Sequence, residues 1–110
     1  MSRFNTLPYA GRLLMVVAVF HLVAAWFAGL TEMGLAGLAL AAGLILQAGL
    51  RWTGWLVMLA LILAMGARAA EIGLPPVPDA LDMAILALDA LAALSLFTAL
   101  WTPAESPVRD

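Results

Sequence analysis

Four long apolar stretches organise the chain: 13–30, 33–50, 52–70 and 80–101. Bilayer hydrocarbon is about 30 Å thick, and a helix crosses it in roughly 17–25 apolar residues. Each stretch is therefore long enough for one span. Only Thr31 and Glu32 separate the first two, and only Arg51 separates the second from the third. Connections that short leave antiparallel neighbours as the easy geometry. The third connection, 71–79, carries Pro75, Pro76 and Pro78, which cannot extend a helix, and Pro103 and Pro107 close the fourth stretch. No stretch alternates polar and apolar residues at period two, which excludes a membrane barrel. The pattern predicts an all-α membrane protein: four transmembrane helices in an up-down antiparallel bundle, forming a single membrane domain over 1–110 with short tails.

Arg3 and Arg12 precede the first stretch, and Val23-Ala24-Ala25 within it would suit a signal peptidase. The apolar run is longer than that of a leader and His21 interrupts it, so it is read as a span. With four spans, Arg3, Arg12, Arg51 and Arg109 fall on one side and only Arg68 on the other. Positive residues are retained in the cytoplasm, which predicts both termini there. Tyr9, Trp52, Trp55 and Trp101 map to that same interface and Trp26 towards the outer one, as aromatic belts require.

Composition narrows the class further. Hydrophobic residues make up 65% of the chain and charged residues 11%, with a formal net charge of −2. A soluble domain averages roughly a quarter charged residues, so an ordinary soluble enzyme is excluded. The charge has the wrong sign for a nucleic-acid binder. There is no cysteine, hence no disulfide or thiolate chemistry. Arginine without lysine, together with abundant alanine, suggests a bacterial inner-membrane protein.

Polar residues at depth then carry the information. His21 and Asp89 each lie near the middle of a span, on helices running in opposite directions, and therefore at similar depth. An aspartate at the centre of an isolated span costs about 2.5–3.5 kcal/mol on insertion scales, so it is expected to be neutral, paired or facing a wet cavity. The expectation is a His21–Asp89 pair, acting as a proton-sensitive site or as one interhelical hydrogen bond worth about 1 kcal/mol. Asp82, two turns outward of Asp89 on the same stripe, extends the acidic face. Ala39 and Gly43 form a small-xxx-small ridge with Gln47 on its face, a helix-packing or docking surface. Arg68, Glu71 and Asp82 are expected as outer-side charges, with Arg68 anchoring at the interface or pairing with an acid. Met15, Met58, Met65 and Met83 read as gap-fillers.

A mid-membrane imidazole also ligates haem iron or the magnesium of a chlorophyll-type pigment. The stretch 17–26 is similar to the histidine-bearing span of bacterial light-harvesting peptides, with small residues before His21 and Trp26 after it. The resemblance covers about ten residues, and Val17 stands where those peptides usually carry alanine. It implies a pigment on His21. No phosphate loop, metal-ligand cluster or nucleophile triad is present, and the loops are too short to house a soluble active site, so the chain is not expected to be an enzyme.

Two functions fit these features. The first is an accessory or assembly subunit of a larger membrane complex of respiratory or photosynthetic type, with other subunits or copies of itself as partners in the bilayer. The second is a small homo-oligomeric transporter or channel that uses His21 and Asp89. With only two polar side chains at depth, the sequence favours the first.

Overall fold

The computed structural model describes residues 6–73 and 77–101, so Arg3, Pro75, Pro76, Pro103, Pro107 and Arg109 lie outside the described residues. It contains four α-helices: α1 (Leu7–Ala28), α2 (Leu30–Gln47), α3 (Thr53–Glu71) and α4 (Asp79–Trp101). At 1.5 Å per residue they are roughly 33, 27, 29 and 35 Å long, all sufficient to cross the hydrocarbon. Each is also apolar enough to do so. The chain is a multi-pass membrane protein with an up-down antiparallel helical bundle.

Local chemistry sets the helix ends. α1 starts six residues before the expected span because Thr6 caps it, its Oγ1 accepting the Tyr9 N–H at 3.3 Å. Pro8 sits in the first turn, where no backbone donor is needed. α1 and α2 are joined by Gly29 alone, at φ +79°, a conformation that side chains with a Cβ rarely adopt. Its N–H donates to the Ala25 carbonyl, and its own carbonyl accepts from Glu32 and Met33. This one-residue hinge draws Glu32 out of the expected connection and into the first turn of α2.

Between helices in lipid, attraction comes from close van der Waals contact, so small residues mark the tightest crossings. α1 meets α2 at two glycines. A Cβ on Gly11 would lie 2.5 Å from the Gly43 carbonyl oxygen, and one on Gly43 would lie 2.7 Å from the Gly11 carbonyl oxygen. Gln47 completes that contact by donating its amide to the Met15 thioether. α3 meets α4 where Gly54 faces the Leu100 side chain. Beside it, Arg51 donates to the Leu100 carbonyl at 2.7 Å, placing a cation on the negative end of α4. Trp55 and Trp101 pack edge to face at the same end, their centroids 6.3 Å apart.

α1 packs on α2 and on α4, α4 packs on α3, and α2 and α3 barely touch. The bundle is therefore closed on three sides and open along the fourth. Its interior is layered. Leu14, Leu46, Leu61 and Leu96 belong to a large apolar cluster, and Ala24, Val77 and Ile85 form a smaller one towards the other end. A polar layer is buried beside the smaller one.

Candidate functional site

That layer is built from all four helices. His21 on α1, Glu32 on α2, Arg68 on α3, and Asp82 and Asp89 on α4 are all buried. Arg68 is the hub: it donates to Glu32 Oε1 at 2.9 Å and to Asp82 Oδ1 at 2.8 Å. Its planar fork, with five N–H donors, can serve two carboxylates on different helices at once. His21 Nδ1 stands 2.8 Å from the same Glu32 oxygen and 3.3 Å from the Arg68 guanidinium. An ionised carboxylate only accepts and a guanidinium only donates, so the short contact assigns the proton to Nδ1, directed at Glu32. Glu71, three residues beyond Arg68, reaches it only at 3.8 Å and is largely exposed.

Asp82 is fully buried in the first turn of α4, where the helix dipole favours a negative charge. Its Oδ1 is held by Arg68, while Oδ2 is buried without a hydrogen-bond partner among the described residues. At the adjacent loop, the Asp79 carboxylate accepts the Gly73 N–H at 2.8 Å and holds the α3–α4 connection to the start of α4.

Asp89 lies two turns deeper than Asp82. It is 2% exposed, and among the described residues it makes no hydrogen bond or ion pair. It looks instead into a cavity of about 300 Å³ in the open side of the bundle. Ala39 and Ala42 of α2 and Ala60 and Ala64 of α3 form parts of its walls, and His21 and Asp89 supply the polar part of its lining. α2 and α3 stand apart here, and the small side chains on both walls leave the gap between them unfilled.

The structure thus rearranges the expected site. His21 and Asp89 do line one cavity, but no direct bond joins them: the Nδ1 of His21 is on Glu32. Arg68 pairs with Asp82, one of the two arrangements expected for it, but both side chains are buried, and of the trio Arg68, Glu71 and Asp82 only Glu71 is exposed. Gly43 receives α1, Gln47 ties down Met15, and Ala39 lines the cavity, so the expected α2 ridge is divided between two contacts. A pigment on His21 would have to bind through Nε2, and the cavity beside that ring is at the lower limit of small-molecule sites, roughly 300–1,000 Å³, less than a tetrapyrrole fills. The role of Glu32 was hidden by its place at a span boundary. The available signal was that Glu32, Arg68 and Asp82 all lie within one turn of the same end of the bundle, where opposite charges would meet.

Comparison with known protein families, curated proteins and solved structures returned no match, and the functional reading rests on the site itself.

Proposed function

We propose that the chain is a small membrane-embedded carrier that admits an amphiphilic molecule sideways from the bilayer into the α2–α3 cleft and works as a homo-oligomer. One observation carries this reading: Asp89, a buried carboxylate without a hydrogen-bond partner among the described residues, lies beside His21 in the lining of a mostly apolar cavity open on one side. An ionisable group at this depth is costly and marks a functional site by default. The neighbouring charges are already used. Arg68, Glu32, His21 and Asp82 bond one another and act as a clamp joining four helices, which leaves Asp89 for a ligand. Oligomerisation follows from size, since one four-helix chain has little room to enclose a path. The site binds and moves its ligand and performs no chemical conversion. The arginine distribution favours a bacterial inner membrane, with both termini cytoplasmic.

The second reading, an accessory or assembly subunit, is favoured by a different observation. α2 and α3 are apolar over most of their outer surfaces and barely touch, leaving a face on which a neighbouring subunit could pack. Extraction of the tagged protein from its native membrane in mild detergent separates the two. A homo-oligomer without other stoichiometric components supports the carrier. A stoichiometric larger complex, identified by mass spectrometry, overturns it in favour of the subunit. A visible absorbance band on the same sample would restore the pigment on His21.

A further inference from the structure

We infer, resting on the carrier reading above, that the molecule taken by the α2–α3 cleft is a lipophilic cation of the alkylamine type, its ammonium on Asp89 and its apolar body between α2 and α3. The argument is one of charge. The buried layer contains three carboxylates, Glu32, Asp82 and Asp89, and two bases, Arg68 and His21. Arg68 is divided between Glu32 and Asp82, and the Nδ1 of His21 faces Glu32. Acids outnumber bases whether or not His21 is protonated, and Asp89 is the acid left without a cation at hydrogen-bond distance. An anionic amphiphile would meet this excess with repulsion, and a neutral one would leave it uncompensated. A primary ammonium offers three donors on a compact charge and meets the carboxylate at the one polar end of an apolar cavity.

The remaining lining fits the rest of such a molecule. Ala39 and Ala42 face Ala60 and Ala64 across the cleft, with Leu14 and Val17 beneath. These side chains present no polar atoms, so recognition along the body is by shape alone. The cavity volume of about 300 Å³ suits a single narrow chain.

The test uses the full chain, purified in mild detergent, with decylamine, decanol and decanoate titrated by calorimetry. Decylamine is expected to bind saturably. Asp89→Asn should weaken it roughly ten- to a hundredfold, the range for losing a charged hydrogen-bond partner. Decanol and decanoate should not bind saturably. Ala39→Phe, which fills the cleft and alters no charge, should abolish decylamine binding, and it carries the test if Asp89→Asn fails to fold. Equal decylamine affinity in wild type and Asp89→Asn overturns the inference. Decanol or decanoate binding that Ala39→Phe removes overturns the cation assignment while leaving the cleft as a site. Absence of saturable binding by all three overturns both the inference and the carrier reading.

Discussion

Replacing Arg68 by methionine removes the hub of the polar layer while keeping an unbranched side chain of comparable reach. The guanidinium contacts Glu32 at 2.9 Å and Asp82 at 2.8 Å, and all three side chains are at most 4% exposed. If only the two interhelical hydrogen bonds mattered, the loss would be about 1 kcal/mol, since such bonds in membranes average about 0.6 kcal/mol each. The variant also strands two buried carboxylates, and removing one partner of a buried ion pair costs about 3–5 kcal/mol. The second effect dominates, so Arg68→Met should lose about 3–5 kcal/mol. Reversible unfolding in mixed detergent micelles, followed by far-ultraviolet circular dichroism, measures this. The companion variant Glu32→Gln/Arg68→Met/Asp82→Asn removes all three charges together and should lie within about 2 kcal/mol of wild type, because replacing a complete buried charge group by neutral side chains is often close to neutral. A loss below about 1 kcal/mol for Arg68→Met would refute the clamp. A triple variant as unstable as the single one would show that stranded carboxylate charge is not the source of the loss.

Four further outcomes follow from the fold and its topology. Gly43→Leu forces apart the α1–α2 crossing, where even a Cβ would stand 2.7 Å from the Gly11 carbonyl, and should cost at least the ~1–3 kcal/mol typical of overpacking. Gly37→Ala, on the same helix but with open space around it, should be neutral or gain up to about 1 kcal/mol from helix propensity in the same unfolding assay. Arg51→Ala removes the cation and donor at the Leu100 carbonyl and should destabilise by about 1 kcal/mol; a midpoint equal to wild type would assign no role to that cap. The lack of native cysteine makes orientation directly measurable. Leu30→Cys, at the exposed α1–α2 hinge, should react with a membrane-impermeant maleimide in intact cells, and Trp52→Cys only after permeabilisation. The reverse pattern would invert the arginine-based topology.

The architecture was legible because span length and helix periodicity are properties of contiguous sequence. Four apolar stretches, short connections and the Pro78 region were enough to define four antiparallel helices. The site was legible only in part, and the reason lies in the helix ends. A hydropathy pattern locates a span to within about a turn, because charged residues near the ends are read as boundaries. Glu32 and Arg68 fall within that margin. Their burial depends on where α2 begins, which the Gly29 hinge decides, and on α3 continuing to Glu71. Once Glu32 lies inside α2, the antiparallel α1–α2 hairpin brings it within 2.8 Å of the Nδ1 of His21, and Arg68 on the same oxygen favours its ionised form at that point. The partner of His21 was therefore set by a one-residue connection and a third helix, neither visible in the spacing of His21 and Asp89. The same geometry gives the site its chemistry. Bonded to His21, Asp89 would be one more packing contact; without that bond it is a buried acid facing a cavity, placed to meet a cation from the bilayer.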